Sequence, residues 1–246
     1  MEEYIMAQYA LDRVLSVAGT DAVEGNVIFL ADQIVDPSLS FTSETEDIVD
    51  AMNNVVMVLE NGRGATFSAS NAFFNTQILA AQVGAEVETG ATEITKYDIV
   101  KLGADGKATL SATAKGTNAK IYKLAKDGSL TTAEATTGTI TDGAVTVSGA
   151  TEGDRVLVVY TAEITADEKI TAFADAKNKL MNVTAEVLLK ELCNEELYYA
   201  YIIMKGKLNG EAEWTMSRDG NHAFELRCFP EYCGDKKLVD VIIVKG

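Results

Sequence analysis

Four residues in the last quarter of the chain have side chains that could bind a metal or act in catalysis: Cys193, His222, Cys228 and Cys233. Zinc binds cysteine and histidine side chains tetrahedrally, so a mixed site is one hypothesis. The cysteines are odd in number, and their spacings match no common zinc or redox pattern. We favour the alternative interpretation, in which the cysteines are small buried hydrophobic residues.

His222 is the single histidine, and a hydrolase triad usually needs a histidine as its base. No serine or cysteine near it stands in a recognisable nucleophile context, so we expect a solvent-facing or edge position. Aspartate and glutamate are plentiful, but they fall on alternating strand faces or in loops, where solvation is their ordinary role. The sequence predicts no catalytic residue, no cofactor and no metal site, and a protein that is not an enzyme.

Two glycine-containing segments resemble functional motifs. Asn61-Gly62-Arg63-Gly64 could cradle a phosphate, but no Lys-Ser or Lys-Thr pair follows it and no helix comes directly after it. Arg218-Asp219-Gly220 could be taken for an adhesion tripeptide, but a hairpin turn is needed at that position. We interpret both segments as turns.

Composition limits the class of protein. The 246 residues are 47% hydrophobic with only two prolines, which indicates an ordered globular chain with one sizeable core or two smaller domains. The formal net charge of -16 opposes extensive contact with nucleic-acid phosphates. No basic segment with an apolar run begins the chain, and no apolar run reaches about 18 residues. We therefore expect no signal peptide, no membrane span, and folding in a cytosol.

The stretch from Leu197 to Phe229 organises the predicted fold. Its first block is rich in aromatic and β-branched residues and predicts a buried strand. The residues on both sides of Asp219-Gly220 alternate in polarity, which predicts a β-hairpin with a tight turn there. The expected apolar face consists of Ala212, Trp214, Met216, Phe224, Leu226 and Cys228. Such a ribbon must pack its apolar face against a helix, another sheet or a second copy of the chain.

Further strands and one helix are predicted along the chain. Strands are expected at residues 26–31, 38–43, 55–59, 65–68 and 238–244. Ser70 as the N-cap and Gly84 as the stop predict a helix over residues 71–83. Residues 4–15 are compatible with a short helix or an extended arm, and residues 181–189 with a strand or a helix.

The middle of the chain differs in composition from the rest. Thr, Ala, Gly and Ser dominate residues 99–163, where Asp105-Gly106, Asp127-Gly128 and Asp142-Gly143 each stand beside a short β-type run. Repeated turn signals of this kind predict a small antiparallel sandwich. The composition shift predicts an inserted or decoration domain of residues 99–163 in a main domain of residues 1–98 and 164–246, although residues 155–164 could equally belong to the main sheet.

The order of these segments resembles the tail tube, or major tail, proteins of long-tailed bacteriophages. The resemblance is carried by Gly25-Asn26-Val27-Ile28, the turn at Asn61 to Gly64, Ile78-Leu79-Ala80-Ala81-Gln82, Met204-Lys205-Gly206-Lys207, and Ser217-Arg218-Asp219-Gly220 through to Phe224. These segments lie within residues 20–98 and 165–246. The resemblance implies a mainly β fold, in which residues 1–98 and 164–246 form an antiparallel β-sandwich or barrel with one flanking helix. It implies that residues 99–163 form an added Ig-like domain on the outside. It also implies that copies form hexameric rings, which stack into a tube that delivers DNA.

The same resemblance implies a structural virion protein of the phage tail that is assembled in the host cytoplasm. Its partners would be further copies of the chain and a sheath, tail terminator or tape-measure protein, while genomic DNA passes without specific binding. Candidates for an acidic lumen surface are Glu211, Glu213 and Glu225. Candidates for a subunit-interface hairpin are Tyr199, Tyr201, Ile203, Trp214, Met216, Phe224 and Leu226.

Two other classes stay open at this point. A capsid decoration or head-tail joining protein would share the β-rich composition without polymerising alone. A carbohydrate-binding or adhesin module would use Trp214, Tyr198 and Tyr201 as a stacking platform. Against the second class, Trp214 shares its predicted face with Ala212 and Met216 and is expected in the core.

Overall fold

The computed structural model describes residues 8–131, 134–213, 220–230 and 235–246. The fold is mainly β, with antiparallel sheets and one helix, which confirms the predicted class. The strands are β1 (Tyr9–Asp21), β2 (Val27–Ala31), β3 (Ile34–Val49), β4 (Val55–Asn71), β5 (Val87–Lys101), β6 (Lys107–Thr109), β7 (Asn118–Leu124), β8 (Thr136–Thr141), β9 (Ala144–Thr146), β10 (Arg155–Ile170), β11 (Met181–Glu191), β12 (Leu197–Leu208), β13 (His222–Cys228) and β14 (Val239–Lys245). The helix, α1, spans Thr76–Gln82. No helix in the described ranges is long and apolar enough to cross a membrane.

The chain divides into two compact units. The first combines the residues up to Val87 with those from Ile170 onwards, and the second runs over Glu88–Lys169. The boundaries expected from composition, at residues 98 and 164, fall inside β5 and β10. These two long strands therefore carry the chain out of the first unit and back into it.

The first unit is built on one eight-stranded sheet. Its order is β2-β1-β11-β12-β13-β4-β3, and β14 pairs with β12 alongside this path. The sheet curls into a half-barrel. Because side chains on a strand alternate between faces, each strand sends every second residue into one core. Fully buried Phe29, Met204 and Leu226 belong to that core, and Ile78 of α1 packs into it.

Three segments are strands: two for which the sequence allows a helix or an extended structure, and the predicted last strand. Residues 9–21 form β1, which pairs with β11 over Tyr9↔Glu191 to Asp21↔Met181. Residues 181–191 form β11, and residues 239–245 form the predicted last strand. In β13 the predicted alternation is confirmed, since Phe224, Leu226 and Cys228 are buried while Glu225 and Arg227 are exposed.

The predicted turn at Asn61 to Gly64 is wrong, because this segment continues β4. Gly62 pairs with Glu44, and Gly64 pairs with Thr42. The reversal lies earlier, where the Asp50 carboxylate accepts hydrogen bonds from the backbone N–H of Met52 (2.8 Å) and of Asn54 (2.9 Å). Asn53 supplies the left-handed residue of this turn at φ 64°. An Asx-type turn thus outcompetes the glycine pair, and β3 and β4 form one long hairpin.

The helix is shorter than predicted. Ser70 and Asn71 belong to β4, where Asn71 pairs with both Ile34 and His222. The N-cap is instead Asn75, whose side-chain oxygen accepts from the N–H groups of Gln77 (2.9 Å) and Ile78 (3.1 Å). Strand pairing on both sides of β4 therefore moves the start of the helix by about one turn.

The late hairpin also differs from its prediction. Residues 211–213, expected to begin a strand, are exposed and form none, while residues 214–219 lie outside the described ranges. Strands β12 and β13 pair directly, but only from Gly206↔Cys228 to Leu208↔Leu226. Along the rest of its length β12 pairs with β14 on the same side. The polar run after Leu208 is therefore a connecting loop, at least up to residue 213.

The second unit contains a six-stranded sheet in the order β5-β10-β7-β8-β9-β6. The three predicted Asp-Gly turns are present in it, with positive φ at Gly106, Gly128 and Gly143. Its core includes Ile121, Val156 and Val158. A buried polar cluster lies beside this core. The comparison of this unit with an Ig-like domain stays a prediction.

Asp98, Ser111 and Tyr160 form this polar cluster in the second unit. The Asp98 carboxylate accepts hydrogen bonds from the Ser111 hydroxyl (2.6 Å), the Ser111 N–H (2.7 Å) and the Tyr160 hydroxyl (2.9 Å). Burial alone would raise the pKa of Asp98, but the hydrogen bonds from Ser111 and Tyr160 outweigh it and lower that pKa. These hydrogen bonds stabilise the negative charge of Asp98, and the bond from Tyr160 links β10 to β5.

We expect Gly206→Ala to destabilise the first unit, because β12 and β13 approach closely at this position. A Cβ on Gly206 would meet the Arg227 carbonyl group, with the carbonyl carbon at 2.9 Å, and would lie 3.1 Å from the Cys228 Cα. Backbone atoms cannot rotate away, so we expect a loss of about 1–3 kcal/mol in the free energy of unfolding. Chemical denaturation measures it. Gly62→Ala is the matched control, since nothing lies within 4 Å of its Cβ, and equal losses would contradict the prediction.

Candidate functional site

The outer part of the β3–β4 hairpin, residues 42–63, projects from the sheet and is called the arm here. Strand β4 pairs with β13 only over Ala65–Asn71, so the arm consists of β3 and β4 alone. Eight residues of β3, 42–49, extend it by roughly 27 Å at 3.4 Å per residue. Both outer edges of the arm are unpaired in the described part of the chain.

The arm exposes apolar side chains on both of its faces. Consecutive residues of a strand point to opposite faces, and every residue from Val55 to Leu59 is exposed. The large exposed apolar residues of the arm are Ile48 (44%), Val49 (47%), Met52 (84%), Val55 (54%), Val56 (67%), Met57 (55%), Val58 (53%) and Leu59 (38%). A contiguous apolar surface of this kind on a β-ribbon marks an interaction surface.

The arm is also acidic. Its carboxylates are Glu44, Glu46, Asp47, Asp50 and Glu60, against one cation, Arg63. Arg63 lies 3.5 Å from Glu60 at the exposed surface, where an ion pair contributes little to stability. The arm therefore combines apolar faces with an excess of negative charge.

The face of the sheet opposite the core is polar where β13, β4 and β3 adjoin. In register, Ser68 stands between Glu225 and Ser38, and Thr66 stands between Arg227 and Ser40. The Ser40 hydroxyl donates to the Thr66 carbonyl at 3.3 Å. We call this surface the polar face; small hydroxyl side chains cover it, with Glu225 and Arg227 as its charged members on β13.

The three predicted acidic residues come together although two of them are not on a strand. Glu211, Glu213 and Glu225 line one open recess of about 670 Å³ beside the polar face, and Asp36 lines it too. The loop is held there by Asn209, whose N–H donates to the Glu225 carbonyl at 2.7 Å. None of the four carboxylates forms an ion pair with a described residue, so the recess carries a negative potential.

The predicted interface residues fall into three groups. Phe224 (3% exposed) and Leu226 (0%) lie in the core of their own chain, so their side chains cannot contact a second chain. Tyr199, Tyr201 and Ile203 lie on β12, on the face away from the core, and Ile203 is 38% exposed. Their register partners on β14 are Val244, Ile242 and Asp240. Trp214 and Met216 lie outside the described residues.

Strand β14 adds exposed apolar residues beside that β12 group. Val241 (55%), Ile242 (47%), Ile243 (43%) and Val244 (48%) are consecutive, so both faces of the strand are uncovered. Strand β14 pairs with β12 on one side and with no described strand on the other. Tyr198, considered for a sugar-stacking platform, is half-buried and contacts Tyr9 edge-on at 5.0 Å between ring centroids.

His222 is fully buried, so the solvent-facing alternative of the expected solvent-facing or edge position is wrong. Its Nε2 lies 2.8 Å from Gln82 Oε1, its Nδ1 accepts from the Asn75 N–H at 3.4 Å, and Phe74 stacks on its ring at 5.5 Å. Gln82 in turn donates to the Ala223 carbonyl at 2.9 Å. At His222, strand β13 pairs only with β4, through Asn71. The hydrogen bonds to Gln82 and Asn75 therefore hold α1 on the sheet, and the histidine does not face solvent.

Acidification below the ordinary histidine pKa of 6.5 should lower the stability of the first unit. Burial lowers the pKa of His222, so the folded chain keeps it neutral while the unfolded chain takes up a proton. The stabilising contribution is present above pH 6.5 and is lost as the pH falls towards the folded-state pKa. Denaturation curves between pH 7.5 and 5 measure this dependence. His222→Gln should remove that part of the slope, and an unchanged slope in the variant would contradict the assignment.

The cysteines do not form a site with His222 in the described ranges. Cys193 is exposed and Cys228 is buried, and burial raises the pKa of the Cys228 thiol to about 11. Cys233 lies outside the described residues. Among the described histidine, cysteine, aspartate and glutamate residues, no group of three or more could hold a metal ion.

Sequence reasoning missed the arm and the exposed faces of β14. One signal for the arm is that residues 55–59 are all apolar, while two of their partners in β3, Glu46 and Asp47, are acidic. The run is predicted as a strand, and a continuous apolar run is more often buried than exposed, so the pattern alone does not indicate an exposed ribbon. The position of the turn at Asp50–Asn54 decides the matter, since it makes the run part of a two-stranded ribbon whose faces no described element covers.

The whole fold from β1 to the segment before β14 corresponds to one known family. The family model described as the YomU/Tube protein family matches residues 10–238. The match therefore includes the arm, the polar face, the second compact unit and the first unit without its two ends. A search of curated proteins found no match.

Proposed function

The chain belongs to the YomU/Tube protein family, and from that premise we propose that it is the subunit of a phage tail tube through which DNA is delivered. Family membership fits a structural, non-enzymatic component of a phage tail. In the proposal, copies form hexameric rings that stack into the tube. The observation that carries it is the arm, whose two apolar faces have no covering element in the described part of the chain.

The arm supports assembly with other copies on energetic grounds. Full burial of a fully exposed valine, leucine or methionine side chain gains about 1.5–3 kcal/mol. The arm residues are 38–84% exposed, so each gains a corresponding part of that amount. A neighbouring copy is a partner always available at high local concentration in an assembling tail. The arm and the surface it would contact are different parts of the chain, and such heterologous contacts repeat into rings or filaments.

The ends of the sheet support the same proposal. The path of strands ends at β2 and β3, and no described strand pairs with the outer edge of either. Unpaired edges of long strands are an aggregation hazard in a monomer, and closure against neighbouring copies removes them. A ring in which successive sheets join would form one continuous barrel around the channel.

We assign the polar face and the acidic recess to the lumen. The polar face carries mainly short hydroxyl side chains and few long cationic side chains that could bind phosphates. Glu211, Glu213 and Glu225 add negative potential at its border. Repulsion of DNA phosphates keeps contact weak, so the genome can slide without specific binding. Arg227 reduces the local charge, so the recess supplies the repulsion.

Reversing the acidic charges should slow DNA passage without preventing assembly. We expect the triple variant Glu211→Lys, Glu213→Lys and Glu225→Lys to form tubes, because all three side chains are exposed. Added cations would bind phosphates and delay DNA release, measured as the rate of ejection from virions. Glu152→Lys, Asp167→Lys and Glu168→Lys, all exposed in the second unit, form the matched control. Unchanged ejection and infectivity in the first variant would contradict the lumen assignment.

The proposal extends to location and partners. The protein would lie in the virion tail after assembly in the host cytoplasm, with the second unit as a decoration on the outside of the tube. A sheath, a tail terminator or a tape-measure protein would contact the assembled rings. No contact with a membrane is part of this function.

Negative-stain electron microscopy of the purified chain tests the proposal. Rings or tubes with a central channel are expected, and sixfold symmetry in end views is the expected ring number. A chain that stays monomeric over a range of salt and protein concentrations would overturn the proposal. That result would favour a capsid decoration or head-tail joining protein, which binds a lattice that already exists.

A further inference from the structure

The sheet of the first unit forks next to the arm. Cys228 on β13 pairs with Gly206 on β12 and with Ala65 on β4. Two residues further along β12, the partner changes from β13 to β14, because Met204 pairs with Val239, the first residue of β14. In an unbroken sheet, the next residues of β4 towards the arm would stand beside β14. The structure shows no pairing between β4 and β14.

The fork leaves two strand edges with the same properties. The outer edge of β14 has no partner among the described strands, and both faces of the strand carry exposed apolar residues from Val241 to Val244. The arm likewise has unpaired edges and exposed apolar residues on both faces from Val55 to Leu59. An unpaired strand edge is satisfied by another strand that adds its backbone N–H and C=O groups to it. Each edge therefore fits the other.

The charges near the two edges are complementary. Lys207 and Arg227 stand directly opposite each other in register, and neither forms an ion pair with a described residue. Like charges in directly opposite positions destabilise a sheet. This pair lies about 10 Å from the start of β14, counted as three steps along β12. The arm brings an excess of carboxylates, which would relieve the repulsion.

We propose that the unpaired edge of β14 binds the arm of a second copy of the chain by strand addition. Strand β14 then stands between β12, with Tyr199, Tyr201 and Ile203, and the added strand. The proposal rests on the proposed function for its partner, since a tube supplies neighbouring copies, and it names the surface that the arm contacts. The arm of the same chain diverges from β14, which leaves that edge to a neighbour.

Chemical cross-linking between two variants tests the contact. Met57→Cys places a thiol on the arm and Ile242→Cys places one on β14, at positions exposed by 55% and 47%. The full-length variants are mixed, one of them tagged, allowed to assemble, and treated with a short bis-maleimide. Mass spectrometry of the tagged product identifies the linked residues and separates them from links through the native cysteines. Val23→Cys, at an exposed loop position (92%), replaces the arm variant in the matched control.

The expected result is a link between residues 57 and 242 of different chains. Its yield should exceed that of the Val23→Cys control roughly tenfold, because a specific contact raises the effective concentration of the two thiols. A cross-linked pair without tubes would support the contact and reject the tube. Tubes in which residue 57 links elsewhere, or not at all, would overturn the contact while the proposed function stands. A further variant carries both Met57→Cys and Ile242→Cys. A link between these two residues within one chain of that variant would also overturn the proposed contact.

Discussion

Replacing residues 46–59 by Asn-Gly is expected to give a folded chain that forms no tubes. Thr45 and Glu60 pair directly in register, so a two-residue Asn-Gly turn can join them. The change removes most of the exposed apolar surface of the arm but no member of the core. We expect the unfolding transition to stay that of the wild-type chain, while tubes disappear from negative-stain images.

Val23→Asp is the control for this experiment. Val23 is the most exposed large apolar residue of the first unit at 92%, and it lies in the loop between β1 and β2. A general loss of surface hydrophobicity would affect both variants, whereas a role of the arm affects only the shortened chain. Tubes of normal length and number from the shortened chain would contradict both the role of the arm and its contact with β14.

Leu226→Ala should destabilise the monomer itself, by about 2–5 kcal/mol in the free energy of unfolding. Leu226 is 0% exposed in the core, and its register neighbours on β12 and β4 are Leu208 and Phe67. Removing its branched end leaves a cavity that the paired strands around it cannot close. The loss is large against the 5–15 kcal/mol of a typical domain. Denaturation at concentrations too low for assembly measures it.

A substitution at the adjacent residue, Glu225, distinguishes a loss of monomer stability from a loss of subunit contact. Glu225→Ala changes an exposed side chain on the same strand and should alter the free energy of unfolding by no more than about 0.5 kcal/mol. An interface role for Leu226 would instead leave the stability of the dilute monomer unchanged and reduce assembly. That outcome would contradict the placement of Leu226 in the core.

The parts of the fold predicted correctly are those in which a local pattern decides. The alternation from Phe224 to Cys228 fixes which side chains are buried, because one face of β13 meets the core and the other does not. The three Asp-Gly pairs of the second unit form turns, since glycine adopts the required positive φ without strain. Each of these features depends on residues close together in the sequence.

The parts predicted wrongly depend on long-range pairing. The glycines at 62 and 64 give a turn signal, but their backbone groups find partners on β3, and Asp50 closes a turn twelve residues earlier. Ser70 is a good N-cap in isolation, yet β13 and β3 hold it in a strand. No local rule weighs such pairings against a turn or a cap.

The candidate surfaces divide in the same way. Glu211, Glu213 and Glu225 were chosen for an assumed strand alternation, and they share a recess for another reason, because Asn209 ties the loop to β13. Phe224 and Leu226 were chosen for an apolar face without a partner inside the chain, but the sheet provides that partner. The topology of the sheet decides which apolar face packs against the core of its own chain and which stays exposed. The sequence pattern is the same in both cases.

The arm and the β14 edge are unlike elements at different places on one chain, so an array built from their contact has a direction. Where this contact joins one ring to the next, the terminal ring at one end presents free arms, acidic and apolar, and the terminal ring at the other end presents free β14 edges. The two extremities of such a polymer are chemically distinct, and a factor that caps one of them by mimicking its missing neighbour cannot cap the other. Growth and termination can then be controlled separately at each extremity.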